Sequence, residues 1–110
     1  MSANVILIIT NLPDAETAQR ISRNLVERRL AACVNVLAPC RSVYRWQGGV
    51  EEATEVPLLI KATTANYDAL EEAIRAQHPY ELPEIIAVPI DRGLPEYLAW
   101  VESESTGHDK

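Results

Sequence analysis

The strongest constraint on the fold is a short turn, Gln47-Gly48-Gly49, between two long segments of strand-forming residues. Two extended runs joined by such a turn predict a β-hairpin. Its arms are about 12 residues long, so each spans roughly 40 Å at about 3.4 Å per residue. A folded domain of this length has a radius of gyration of only about 13 Å. The hairpin is therefore expected to project beyond its own sheet.

The projecting hairpin carries apolar and aromatic side chains, namely Val43, Tyr44, Trp46, Val50 and Val56. An exposed ribbon of this composition aggregates unless a partner pairs with it. The sequence therefore predicts an oligomer that is built partly by strand pairing. Tyr44 and Trp46 are two residues apart and share one face of the ribbon, where they either pack against another subunit or stack on a ligand.

The remaining elements follow from periodicity and from the residues that start or end them. Strands are predicted over residues 5–9, 32–46, 50–62 and 85–88, and helices over residues 15–29 and 95–101. A further helix is predicted with Tyr67, Leu70 and Ile74 on its apolar face, and it ends at His78-Pro79. Asp14 is expected to cap the first helix, and Thr63, Thr64 or Asn66 the second. The second strand is expected to be one long strand with a bulge or bend at Ala38-Pro39.

The order strand, helix, strand, strand, helix, strand predicts two split βαβ units, the ferredoxin-like fold of the α+β class, followed by a short C-terminal helix. An antiparallel four-stranded sheet would carry both main helices on one face. Residues 1–102 form a single domain on this prediction. Residues 103–110 are polar and are expected to fray as a C-terminal tail.

Composition and charge exclude some classes of function. The net charge of -6 disfavours binding to nucleic acid. No apolar run approaches the roughly 20 residues of a membrane span, and the first residues lack the charged region of a secretory signal. Cys33 and Cys40 lie about 23 Å apart in one extended segment, beyond the roughly 7 Å limit for a disulfide. Reduced thiols and a cytoplasmic location are therefore expected.

A second informative feature is the segment from His78 to Glu84, which holds an imidazole, a phenol, two carboxylates and two prolines. Pro79 and Pro83 stiffen this link between the second helix and the last strand. A stiff loop crowded with groups that ligate, titrate and stack is typical of a binding surface.

For several residues the sequence leaves a structural and a functional interpretation open. His78 either caps its helix or serves as a ligand or a general acid/base. Cys33 is either a small buried hydrophobe or a thiolate ligand. Lys61, late in an apolar strand, needs an acidic partner or an anion if it is buried. Glu81 and Glu84 either anchor the loop or ligate a hard cation.

Five segments of the chain share their residues with one protein family. They are Leu30-Ala31-Ala32-Cys33-Val34-Asn35, Ser42-Val43-Tyr44-Arg45-Trp46 with Gly48, Glu55 ahead of Leu59-Ile60-Lys61, the loop from His78 to Glu84, and Tyr97-Leu98-Ala99-Trp100. Together these motifs resemble the CutA family, the divalent-cation tolerance proteins, over about residues 4 to 102.

The resemblance implies a ferredoxin-like subunit that assembles as a tight homotrimer, similar in architecture to the PII signalling proteins, with long hairpins interlocked around the three-fold axis. It implies a role in tolerance of copper and other divalent metals, a bound divalent metal such as copper, and no established enzymatic activity. It also implies grooves between subunits that gather Cys33, Tyr44, Trp46, Glu55, Lys61, His78, Tyr80 and Glu84.

The chain departs from some family members at two places. Those members carry a Cys at the end of the first strand and a His-His pair before the Pro-Tyr, and these residues have been proposed as copper ligands. This chain has Ile9-Thr10 and Gln77-His78 there. His78 is therefore the metal ligand that carries over, whereas soft ions favour thiolate or several imidazoles.

Three functions are open at this point. The leading hypothesis is a homotrimeric cytoplasmic protein, not an enzyme, that binds a small ligand or a divalent cation in inter-subunit grooves and acts in metal tolerance or signalling. The second is a small enzyme in which His78 or Glu84 transfers a proton and Lys61 holds an anion. The third is a structural trimer whose polar loop seals the interface.

Overall fold

The computed structural model describes residues 4–107, and its elements follow the predicted order. The strands are β1 (Val5–Leu12), β2 (Cys33–Val36), β3 (Cys40–Trp46), β4 (Gly49–Thr63) and β5 (Ile85–Pro89). The helices are α1 (Ala15–Glu27), α2 (Tyr67–Gln77), which follows a 3-10 turn (Thr64–Asn66), and α3 (Pro95–Glu104). The predicted α+β class with an antiparallel sheet is confirmed. The ends of the predicted domain and tail, residues 1–3 and 108–110, lie outside the described residues.

None of the helices within residues 4–107 combines the length and the apolar character that a membrane crossing requires.

The long strand β4 organises the sheet, whose strand order is β2-β4-β1-β5. Residues 56–63 of β4 pair with β1 on one side, and residues 58–61 also pair with β2 on the other. Residues 49–55 pair with β3 alone. The hairpin of β3 and β4 therefore extends past the last pair of β1 and β4, Leu12 with Val56, as a two-stranded ribbon.

The interruption predicted at Ala38-Pro39 is a bulge between β2 and β3. Val36 stands opposite Leu58, and Cys40 stands opposite Glu55, so residues 37–39 face only residues 56–57. One extra residue on one strand defines a β-bulge, and a proline fits there because its missing N–H is not needed. β2 and β3 are thus two parts of one ribbon that follows β4.

Helix α1 begins where the sequence predicts and ends slightly earlier. The Asp14 carboxylate accepts the Thr17 backbone N–H at 2.8 Å, which is an N-cap bond. The helix ends at Glu27 because Arg29 adopts a positive φ of 61°. The Leu30 N–H then donates back to the Leu25 carbonyl at 3.0 Å, as in a Schellman motif.

The main core lies between one face of the sheet and helices α1 and α2. Cross-strand partners share a face of a sheet, and Ile8 of β1 pairs with Ile60 of β4. Both belong to one fully buried cluster with Leu25 of α1 and Leu70 of α2. Each buried side chain of this size contributes about 1.5–3 kcal/mol to folding. Both helices therefore cover the same face.

Helix α3 covers part of the opposite face. Val5 of β1 and Val101 of α3 are buried outside the main cluster. Tyr97 of α3 interacts with Cys33 of β2, and Cys33 lies on the opposite face from Val34, which packs against the main core.

The rest of this second face is apolar and open to solvent in the single subunit. It carries Leu7 and Ile9 of β1 beside their β5 partners. Those partners, Val88 and Ile86, are 45% and 48% exposed. An apolar sheet face of this kind is unusual on a monomer.

The C-terminal segment is docked, and the prediction that it frays is wrong for residues 103–107. Ser105 is buried, and the Gly107 N–H donates to the Arg29 carbonyl at 2.9 Å. The Arg29 guanidinium also reaches the Thr106 hydroxyl at 3.5 Å. These bonds join the end of the chain to the turn after α1.

Asn66 links three parts of the chain. It stands at the N-cap position of α2, but its side chain makes no capping bond there. Its amide instead donates to the carbonyls of Leu30 at 3.1 Å and Ser105 at 2.7 Å. The residue predicted to cap α2 therefore ties the end of α3 to the turn after α1.

We expect Gly107→Ala to destabilise the protein by about 1–3 kcal/mol, as overpacking typically does. A Cβ at this position would lie 2.0 Å from the Arg28 carbonyl oxygen and 2.5 Å from Arg29 Cβ, so the tail must leave its site. Denaturant unfolding at one fixed protein concentration measures the effect.

Gly49→Ala is the matched control, because its nearest contact would be an ordinary 3.9 Å. Equal stability of the two variants would contradict the docking of residues 103–107.

Candidate functional site

A cleft of about 660 Å³ lies at the base of the hairpin, where β1 ends and the loop after α2 approaches β3. The hairpin, the end of β1 and the loop before β5 all contribute to its walls. They are lined by Asn11, Ser42, Val43, Tyr44, Trp46, Glu55, Tyr80, Glu81, Leu82 and Glu84. The volume is within the range of about 300–1,000 Å³ that is typical of small-molecule sites.

The structure brings most of the predicted site residues together in one chain. Tyr44, Trp46, Glu55, Tyr80 and Glu84 all line the cleft. His78 begins the loop but does not line the cleft, whereas Cys33 and Lys61 lie elsewhere on the sheet. Glu81 and Leu82 of the loop also line the cleft.

One wall of the cleft is aromatic. Tyr44 stands opposite Glu51 and Trp46 opposite Gly49, so both side chains lie on the same face of the ribbon as Glu55. They are 43% and 38% exposed in the single subunit. Their shared face, predicted from their spacing, is the face that the cleft uses.

Glu55 is the buried charge of the cleft. Its residue is only 8% exposed. Burial raises the pKa of Tyr80 to about 12, and the hydrogen bond to the Glu55 carboxylate adds to the shift. The Tyr80 phenol therefore stays protonated at all physiological pH values and donates to Glu55.

The His78 imidazole holds the loop in place. Its Nδ1 accepts the Tyr80 backbone N–H at 3.2 Å, so Nε2 carries the proton and donates to the Asn11 carbonyl at 2.7 Å. Burial lowers the pKa of His78, although the Asn11 bond and Glu55 oppose the shift. The imidazole is therefore neutral, and it packs beside the Tyr80 ring with centroids 4.8 Å apart.

Asn11 fastens the other end of the same loop. Its side-chain amide donates to the Glu84 carboxylate at 3.0 Å, while its backbone carbonyl accepts from His78. Asn11 also lines the cleft. No local pattern in the sequence indicates this role, because its partners His78 and Glu84 are 67 and 73 positions away along the chain.

Lys61 and Cys33 are separate from the cleft. They stand opposite each other on β4 and β2. The Lys61 amino group donates to the side-chain oxygen of Asn35, so its partner within the subunit is an amide. Burial raises the pKa of the Tyr97 phenol, and the interaction of Tyr97 with Cys33 adds to the shift.

Metal ligands do not converge in the single subunit. Among residues 4–107, no group of three or more His, Cys, Asp and Glu side chains is arranged to hold a metal ion. Both nitrogens of His78 are hydrogen-bonded, so a metal at His78 requires the loss of one of these bonds. Residues 4–107 therefore do not fit a metal site by themselves, and the role of His78 as a ligand stays a prediction.

These features define a class of protein: an α+β domain with an antiparallel sheet that carries an aromatic and acidic cleft beside a projecting hairpin. Residues 6–104 match the family described as CutA1 divalent ion tolerance protein. The chain belongs to this family, as the sequence motifs predicted.

Individual relatives agree with this assignment. The divalent-cation tolerance protein CutA of Thermus thermophilus is 48% identical over 92% of this chain and 97% of its own length. A CutA homolog of Xenopus laevis is 51% identical over 81% of this chain, which spans 59% of that relative. The solved structure of the Thermus thermophilus protein superposes with a TM-score of 0.90 at 44% identity, over 92% of this chain and 98% of that chain. The names of these relatives are not those of enzymes.

We expect the stability of the protein to fall more steeply below pH 6.5 than that of His78→Gln. The pKa of His78 is lowered from 6.5 in the folded state, so the unfolded chain takes up the proton first. The stabilisation by neutral His78 is complete above pH 6.5 and is lost as pH falls through the folded-state pKa.

Unfolding by denaturant between pH 7.5 and pH 4.5 measures this difference. His78→Gln removes the titration and keeps an amide that can donate to Asn11. Parallel pH profiles of the two proteins would show that His78 does not contribute.

Proposed function

We propose that the chain acts in tolerance of divalent cations as a homotrimer that resembles the PII signalling proteins in assembly. Each subunit is of the ferredoxin-like type on this proposal, and its hairpin reaches a neighbouring subunit. The grooves between subunits bind a small ligand or a divalent cation such as copper. Membership of the CutA1 family supports the role in divalent-cation tolerance.

The observation that carries the trimer is the apolar second face of the sheet. Leu7, Ile9, Ile86 and Val88 lie side by side on it. The same face of β4 continues past Glu55 into the ribbon that carries Tyr44 and Trp46. An apolar surface that runs from a sheet into a projecting hairpin needs a partner, and a closed ring of identical subunits covers every copy of it.

The ribbon itself adds a second requirement. Residues 49–55 of β4 pair only with β3, so each strand of the ribbon keeps one edge of unpaired backbone groups. Val43 and Val50 on the ribbon are 64% and 65% exposed. Pairing with the sheet of a neighbour satisfies both the backbone and the apolar side chains.

The cleft lies on the face that the proposed trimer covers. Asn11, Glu55 and Tyr44 all belong to this side of the sheet and ribbon. A neighbouring subunit that packs on this face borders the cleft and turns it into a groove between subunits. Ligand binding then ties the loop after α2 of one subunit to the hairpin beside it.

The enzyme hypothesis has less support. A general acid/base needs an atom free to exchange a proton with substrate, but His78 uses both ring nitrogens within the fold. Glu84 accepts from Asn11, and Lys61, the supposed anion clamp, is bonded to Asn35 away from the cleft. We therefore propose a binding protein and not an enzyme.

The cytoplasm is the proposed compartment. Cys33 and Cys40 are unpaired. They stand opposite Lys61 and Glu55 of β4, six positions or about 20 Å apart along one strand. No disulfide can join them within a subunit, which suits a reducing environment.

We expect light scattering at micromolar concentration to give three times the 12.2 kDa mass of one chain, and Val88→Lys to reduce this mass toward that of a single subunit. A lysine at Val88 places a charge in the face that the trimer buries, and burying an unpaired charge is strongly unfavourable.

Val26→Lys on α1 is the matched control, because Val26 is similarly exposed at 40% against 45% for Val88 and lies outside the second face. A wild-type monomer, or equal effects of the two variants, would refute the proposed assembly.

The metal half of the proposal is tested by calorimetry with Cu(II) on the wild type and His78→Ala. We expect binding to weaken by about tenfold or more in the variant, since residues that ligate or orient metal ligands change affinity by about 10- to 100-fold. Identical weak binding in both proteins would show that His78 is not a copper ligand.

A further inference from the structure

We propose that the cleft at the base of the hairpin binds a small organic cation, with an ammonium group on an apolar body. This inference rests on the proposed ligand-binding role of the groove and names the class of its ligand. It depends on the charge, the depth and the aromatic walls of the cleft.

The charge of the cleft has one sign. Its ten lining residues include the carboxylates of Glu55, Glu81 and Glu84 and no lysine, arginine or histidine. Cations are therefore attracted and anions repelled. Neither arginine of the ribbon, Arg41 or Arg45, lines the cleft, and Arg41 is paired with Glu52.

The acidic groups lie at different depths. Glu55 is 8% exposed, whereas Glu81 and Glu84 are exposed. The Tyr80 hydroxyl supplies one donor to Glu55, and a carboxylate has about four acceptor sites. A ligand ammonium group, which has only donors, fits the remaining capacity of this carboxylate.

The aromatic residues favour a cation that has an organic body. Tyr44 and Trp46 lie on the same face as Glu55, and Tyr80 borders the cleft from the loop. An ammonium group near an aromatic face is attracted by the ring quadrupole. Val43 and Leu82 add apolar lining, which suits the carbon atoms of such a ligand.

A bare metal ion fits this cleft less well. Hard ions take about six to eight oxygen ligands that converge on one point. In the described part of the chain, the carboxylates of Glu55, Glu81 and Glu84 do not form such a group. One of them, Glu84, is already bonded to Asn11. A single ammonium group needs only one deep carboxylate and a few aromatic atoms.

The first test compares two probes of the same shape on the full-length wild type. Benzylammonium carries the charge at neutral pH, and benzyl alcohol is its uncharged counterpart. Calorimetry is expected to give benzylammonium at least about tenfold tighter binding, because a hydrogen bond to a charged group contributes about 1.5–3 kcal/mol. Equal affinities would overturn the inference.

The second test locates the probe. We expect Glu55→Gln to reduce benzylammonium affinity by about tenfold or more and to change the affinity for benzyl alcohol much less. Glu16→Gln on α1 is the control, because it removes the same charge at an exposed position. Equal loss in both variants would show attraction by net charge alone and overturn the site. The wild-type comparison still decides the question if Glu55→Gln does not assemble.

Light scattering on the same samples separates the two levels of the proposal. An intact trimer that binds neither probe would overturn the organic-cation site and leave the assembly standing, with a side chain of the neighbouring subunit as the occupant of the cleft. A monomer that still prefers benzylammonium would overturn the assembly and keep the site.

Discussion

Every other element of this subunit depends on the hydrogen-bond ladder of β4. A strand has donors and acceptors on both edges, and each must find a partner. The second half of β4 finds two strands, β1 and β2, and the sheet and its helices form there. The first half finds only β3. One strand therefore belongs half to a folded core and half to a ribbon that is incomplete without further contacts, and the cleft forms where the two halves meet.

The cleft is held by contacts between residues that are distant in sequence. Near the end of β1, the Asn11 carbonyl accepts a hydrogen bond from His78, and the Asn11 side-chain amide donates one to the Glu84 carboxylate. A neutral histidine can bond both Asn11 and the Tyr80 backbone, because one ring nitrogen donates while the other accepts. These bonds give the loop from His78 to Glu84 a defined shape, which would reduce the ordering entropy lost on the proposed ligand binding.

Local features of the sequence predicted most of the fold. The Asp14 cap, the hairpin turn, the bulge at Ala38-Pro39 and the shared face of Tyr44 and Trp46 all follow from residues close together in the chain. The predictions that failed concern contacts between residues that are far apart in the chain. Asn66 is a good capping residue, yet its side chain bonds carbonyls 36 and 39 positions away. The polar composition of the tail predicts fraying. In the structure Gly107 packs so closely against Arg28 and Arg29 that a side chain at this position would clash with them.

The bulge at residues 37–39 determines on which face of the ribbon each side chain of β3 lies. Val34 of β2 faces the helices, and if residues 37–39 paired regularly without a bulge, Tyr44 would stand opposite Val50 and face the same way. A shift of one residue exchanges the two faces of a strand. Loss of a single residue from 37–39 would remove the bulge and leave Val34 opposite Ile60 and Tyr44 opposite Glu51, so both side chains would keep their faces. Loss of two would leave one residue opposite Val56 and Pro57, and regular pairing would then turn either the aromatic pair out of the cleft or Val34 out of the core. The bulge therefore gives this stretch a spare residue, and the ribbon can be shortened by one residue but not by two.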